Sequence, residues 1–193
     1  MALRSLVLDQ STTTCGFAVV EEDPNTPISF GVFGRLLDHG IITTPSGAAM
    51  IDRLNVIRAD LSTGPGAIIA TYRPDELVCE NTMFFKQRSG AANAAMAAVY
   101  ALMQDLAKAH GMAFYSQNPA TIKLRATGHG NATKQEMIDA VCHLWGLTPS
   151  RIRDDNHADA LAGAYVWLYR ADEVRRAAAL KKVKKERKRA HGN

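Results

Sequence analysis

Three carboxylates stand where the chain changes character. Asp9 closes the apolar run Leu6-Val7-Leu8, Glu80 closes Leu77-Val78-Cys79, and Asp159 lies early in the helical stretch Asn156-His157-Ala158-Asp159-Ala160-Leu161-Ala162. The tips of buried strands and the first turn of a helix are places from which distant side chains converge. Two carboxylates about 4 Å apart repel by roughly 4 kcal/mol at an effective dielectric near 20, so a cluster of three calls for a cation or for raised pKa values. Mg²⁺ and Mn²⁺ suit such a site, because both prefer oxygen ligands and keep water or phosphate oxygens in their remaining positions.

The elements that must carry these residues follow from periodicity and turn chemistry. Leu3 to Asp9, Cys15 to Val20, Ile28 to Arg35 and His39 to Thr43 read as extended runs separated by turns, the pattern of an antiparallel meander. Met50, Leu54, Ile57 and Leu61 repeat at helical spacing, so a helix is predicted over Ala49 to Leu61. Arg73-Pro74 then introduces the strand that ends at Glu80. Ala91 to His110 is rich in Ala, Met and Leu and is stopped by Gly111, which predicts a long helix, followed by a strand from Met112 to Ser116. Two further helices are expected, Lys134 to Trp145 behind Asn131-Ala132-Thr133 and Asn156 to Arg170 behind Asp154-Asp155. Strands first and then strands alternating with helices indicate an α/β fold, a five-stranded mixed sheet flanked by helices on both faces.

A chain of 193 residues that is 47% hydrophobic is long enough for one domain with a substantial core. The expected division is a body over residues 1–170 and a basic C-terminal tail over 171–193. That tail holds nine Lys or Arg against three acids, whereas the rest of the chain holds fourteen against sixteen. A cationic tail on a nearly neutral body suits a polyanion, since Lys and Arg displace counterions from phosphates without reading sequence. Lys181, Lys182, Lys184 and Lys185 are its candidate phosphate contacts. Cys15, Cys79 and Cys142 are odd in number and set in apolar segments, which fits reduced core thiols. Neither a spanning apolar stretch nor a signal-peptide layout is visible, so no membrane partner is expected.

In this order, Leu8-Asp9-Gln10-Ser11 with Gly16, Glu80 after its apolar strand, Lys123-Leu124-Arg125-Ala126-Thr127-Gly128-His129-Gly130-Asn131-Ala132-Thr133-Lys134, and Asp155-Asn156-His157-Ala158-Asp159 resemble the RuvC-like Holliday-junction resolvases, a branch of the ribonuclease H-like nucleases. The resemblance covers roughly Leu3 to Leu168. It implies a ribonuclease H-like fold and a structure-selective endonuclease that resolves Holliday junctions and related branched DNA by paired symmetric nicks. It further implies two divalent ions, Mg²⁺ or Mn²⁺, per active site, a homodimer, and work on DNA in the cytoplasm of a bacterial or phage-infected cell.

The resemblance also implies roles. Asp9, Glu80 and Asp159 fall on the family's metal-binding positions, with Asp9 bridging both ions and Glu80 holding one. The fourth position falls on Asn156, a neutral ligand. Asp155 lies four residues before Asp159, on one helix face with it, and is expected to supply the missing carboxylate, with Asn156 or Asp154 assisting. Capping of the helix by Asp154 and Asp155 is the simpler reading of that pair. Lys134 and Lys123 fall beside the scissile phosphate, and Met83 or Phe84 falls where the family stacks an aromatic on a base. Phe85, Lys86 and Arg88 extend that candidate DNA contact. The Ala-rich helix is the candidate dimer contact. Two other readings compete: a junction-binding module with a weak site, suggested by Asn156 and the tail, and an actin-like or sugar-kinase-like ATPase, suggested by Gln10-Ser11-Thr12 after the acid.

Overall fold

The structure, a computed structural model, describes residues 2–81 and 89–190. Met83, Phe84, Phe85, Lys86 and Arg88, the expected base-stacking segment, lie outside the described residues.

Strands β1 (Arg4–Asp9), β2 (Thr14–Glu21) and β5 (Arg35–Thr43) form the antiparallel meander. Strands β6 (Glu76–Glu80) and β7 (Ala113–Gln117) join it in parallel, giving a five-stranded mixed sheet of order β5-β2-β1-β6-β7. The expected continuous strand from Ile28 to Arg35 is instead broken. Phe30 and Gly31 take φ of 46° and 77°, a left-handed turn that folds β3 (Pro27–Ser29) onto β4 (Val32–Phe33) as a separate two-stranded ribbon.

Strand alternation sorts the core into two layers. Leu6 and Leu8 of β1, with Leu77 and Cys79 of β6, pack beneath α1 (Met50–Arg58), α2 (Ile68–Tyr72) and α3 (Gly90–Ala109), where they meet Ile57, Met103 and Leu106. Val7 and Val78 face the opposite layer, built from α4 (Pro119–Thr127), α5 (Lys134–Trp145) and α6 (Asp155–Ala190), where they meet Met137, Val141, Leu161 and Trp167. Helices therefore cover both faces, as expected. Because side chains alternate at a period of two, Asp9 and Glu80, each two residues beyond Val7 and Val78, project toward the layer that contains α6.

Helix α2 and two further features were not foreseen. The segment around Lys123 is a helix, α4, started by Pro119 and capped by the Asn118 side chain. Helix α6 continues past residue 170 to Ala190, and Arg175, counted with the basic tail, is drawn into the body. Its guanidinium pairs with Glu76 at 2.7 Å and with Glu22 at 2.5 Å, while Ser5 and Trp167 also donate to the Glu76 carboxylate. Cys15, Cys79 and Cys142 are buried free thiols. Among the described residues no helix is long and apolar enough to cross a membrane.

Candidate metal centre

The parallel β1–β6 pairing carries two acids to the same end of the sheet. Leu8 pairs with Cys79 as the last rung, and the next residues on each strand are Asp9 and Glu80. Helix α6 closes the gap from the other side because its first turn lies directly against β2. A Cβ built on Gly16 would stand 2.0 Å from the carbonyl oxygen of Asn156, a distance no side chain tolerates. Gly16 is also the cross-strand partner of Asp9. Its missing side chain thus lets the helix start settle beside Asp9, and the residue spacing in the sequence already marked it.

The result is an open cleft of about 360 Å³ lined by Asp9, Glu80, Asn156 and Asp159, with Gln10, Ser11 and Thr12 on the β1 side and Ala92, Ala95 and Met96 from the start of α3. The three carboxylates expected to converge share this one cleft. Burial and repulsion between acids both act at Asp9. Burial, then Glu80, Asp159 and Asp155, push the Asp9 carboxyl well above its ordinary value of 3.8. Burial also raises Asp159; the neighbouring Lys123 works against the shift and Asp155 adds to it.

Asp155 takes a different position. It lies outside the cleft lining, and its carboxylate pairs with Lys134 Nζ at 2.5 Å. That contact holds the Asp155 carboxyl below its ordinary value and raises Lys134. Lys134 is the first residue of α5, behind a Thr133–Glu136 capping box, where a cation meets the positive end of the helix; Asp155 offsets that penalty. Asp154 caps α6, accepting a hydrogen bond from the His157 backbone N–H at 2.9 Å. His157 is buried and is not part of the cleft lining. The Arg153 amide donates to its Nδ1, so its Nε2 carries the proton and donates to His39 Nδ1 at 2.7 Å. Lys123 sits on α4 close enough to influence Asp159. Lys181 and Lys182 are exposed on α6; Lys184 and Lys185 lie on the same helix, and only their backbone is described.

The donor set fits a hard divalent cation: three carboxylates and one side-chain amide, with the nearest imidazole, His157, paired elsewhere. Among the described residues, no three carboxylate, imidazole or thiol groups are gathered tightly enough to hold an ion as they stand. Gln10, which the sequence reading used only as part of a motif, proves to be buried between two of these acids and bonded to the backbone of Glu80.

Comparison with known proteins bears on this arrangement. A family model described as crossover junction endodeoxyribonuclease RuvC matches residues 6–166. The chain is 35% identical over 174 residues to the crossover junction endodeoxyribonuclease RuvC of Chloroflexus aggregans, covering 90% of this chain and 98% of that protein. Its fold is similar to that of Thermus thermophilus RuvC in complex with Holliday junction substrate, with a TM-score of 0.69 and 24% identity over 91% of this chain and 96% of that one. It is also similar to the Fowlpox virus resolvase bound to Holliday junction DNA, with a TM-score of 0.57 and 14% identity. The sheet is thus that of a ribonuclease H-like resolvase, and the chain belongs to the RuvC family of crossover junction endodeoxyribonucleases.

Proposed function

We propose that this chain is a metal-dependent endonuclease that resolves Holliday junctions and related branched DNA by paired symmetric nicks, and that Asp9, Glu80 and Asp159, with Asn156 as a neutral fourth donor, hold two Mg²⁺ or Mn²⁺ ions. The observation that carries it is the convergence of three acids from β1, β6 and α6 on one open cleft, with the Asp9 carboxyl raised by burial and then by the other two. Held there, such ions would lower the pKa of a bound water and offset charge developing on the departing 3′-oxygen.

The protein supplies the rest. Burial and the neighbouring carboxylates make the cleft a poor host for Asp9 as a bare anion and a good one for it beside a cation. Asn156 offers an oxygen without a fourth negative charge. Asp155 orients Lys134 at the cleft margin, where the ammonium meets a phosphate; Lys123 approaches from α4 on the Asp159 side. Lys181, Lys182, Lys184 and Lys185, beyond the Arg175 anchor, extend along α6 as phosphate contacts. Met83, Phe84, Phe85, Lys86 and Arg88 remain the proposed contact with bases at the branch point.

A twofold dimer sets two cleavage centres symmetrically on a four-way junction. Helix α3 supplies the contact in this reading: Val99, Leu102, Met103 and Leu106 face the sheet, while Ala91, Ala94, Ala97 and Ala101 are exposed. The protein acts on DNA in the cytoplasm, residues 1–170 forming the nuclease body and 171–193 the basic extension.

The test is cleavage of labelled four-way junction, fork and linear duplex, with and without Mg²⁺ or Mn²⁺, with the nicks mapped. Symmetric nicks on the junction that require metal are expected, and Asp9→Asn should reduce them by at least about 100-fold while leaving junction binding intact. Full cleavage by Asp9→Asn rejects the assigned site. Tight, salt-sensitive binding without metal-dependent nicking would establish a binding module instead.

A further inference from the structure

We propose that Gln10 is a positioning residue for the metal centre, a side-chain clamp that fixes the Glu80 carboxylate relative to Asp9; this rests on the metal-site reading above. The backbone pairing of β1 with β6 ends at Leu8 and Cys79, one residue short of both acids. Beyond that rung the two strands would be free to part, and the separation of Asp9 from Glu80 would drift with them.

Gln10 replaces the missing rung. Its side-chain Nε2 donates to the Glu80 carbonyl oxygen at 2.5 Å, and the Glu80 backbone N–H donates to its Oε1 at 3.0 Å. A primary amide has the same donor and acceptor as a peptide group, so one side chain satisfies both backbone groups of Glu80, as a paired strand would. The amide orientation is unambiguous, because the Glu80 N–H only donates and its carbonyl only accepts. Gln10 is only 2% exposed and both bonds are partly buried, which limits competition from water. From β7, the Asn81 N–H donates to the Gln117 carbonyl at 2.7 Å, and Glu80 pairs with Gln117, so Glu80 is held on both flanks.

The reach of the side chain matters. Asn is one methylene shorter and cannot span from β1 to both groups of Glu80. Met has similar length and no hydrogen-bonding pair. Both substitutions leave the carboxylates of the site intact and remove the clamp. A residue that orients a metal ligand without touching the ion is expected to change metal affinity by about 10- to 100-fold when lost.

The experiment uses the full chain without DNA. Mn²⁺ affinity is measured by electron paramagnetic resonance, and exchange of the Glu80 amide by NMR, for wild type, Gln10→Asn and Gln10→Met. The expected result is Mn²⁺ binding weakened by about 10- to 100-fold in both variants, together with faster exchange at Glu80 and unchanged exchange at Leu77, deep in the same strand. A merely structural role would lower the melting temperature without selectively exposing the Glu80 amide. Undiminished Mn²⁺ affinity in either folded variant overturns the role given to Gln10, whatever the exchange rates. Wild type that binds no Mn²⁺ overturns the metal-site reading itself.

Discussion

The layer between the sheet and α6 has a carboxylate site at each end, and the two are built in opposite ways. Asp9 and Glu80 lie at one end of β1 and β6; Ser5 and Glu76 lie on the same strand faces four residues earlier, about 13 Å away at strand rise. At the Glu76 end the protein answers its own charge. Burial works against the Glu76 anion, yet hydrogen bonds from Arg175, Ser5 and Trp167 outweigh it and hold the carboxyl below its ordinary value. At the Asp9 end the described residues act the other way: burial and four acidic neighbours, Glu80, Asp159, Asp155 and Asp154, raise Asp9. One carboxylate is surrounded by donors, while the other is surrounded by like charge. That difference separates a structural acid from a functional one better than burial or residue type does.

The largest expected effect is at the closed end. Arg175→Met strips the partner from a buried anion and should destabilise the protein by about 3–5 kcal/mol in urea unfolding, with cleavage per folded molecule retained. A loss below about 1 kcal/mol, the scale of an exposed pair, would show that the Glu76 network is not the tie between the α6 extension and the body.

A smaller change of opposite sign is expected at the open end. Without metal, Asp159→Asn relieves repulsion and should stabilise the chain by about 0.5–2 kcal/mol while abolishing cleavage. Added Mn²⁺ should raise the melting temperature of wild type and leave that of the variant nearly unmoved. A variant less stable than wild type without metal contradicts the assignment of Asp159 to a repulsive cluster.

The gentlest test is pH dependence without metal. Glu76 is lowered in the folded state, so its contribution is present above its ordinary 4.5 and lost as pH falls through the folded value. Asp9 is raised, so its contribution is present below 3.8 and lost as pH rises through the folded value. His157, lowered to about 4 by burial and by His39, adds a loss of stability as pH falls from 6.5 toward 4. Stability profiles of Arg175→Met and Asp9→Asn, each subtracted from wild type, should therefore slope in opposite directions; slopes of the same sign would erase the contrast.

Much of the site could be read in advance because its parts are local. Asp9 and Glu80 end apolar strands, and Asp159 sits one turn into a helix. Asp155 was harder to place. Helical spacing alone put it beside Asp159, whereas the fold also pairs its carboxylate with Lys134, twenty-one residues earlier in the chain. Arg175 likewise looked like one more tail cation until the packing of α6 set it on Glu76. In both cases the residue has a choice of partners, and only the distance between elements selects among them.

What the sequence by itself determined was which residues reach the ends of strands and the starts of helices, because hydrophobic periodicity and capping act over a few residues. What only the tertiary structure decided was the pairing of charges across elements: Gln10 with Glu80, Lys134 with Asp155, Arg175 with Glu76. Electrostatic and hydrogen-bonding energies depend on separations of a few ångströms, and those separations are fixed only when the sheet and its helices close on a common core.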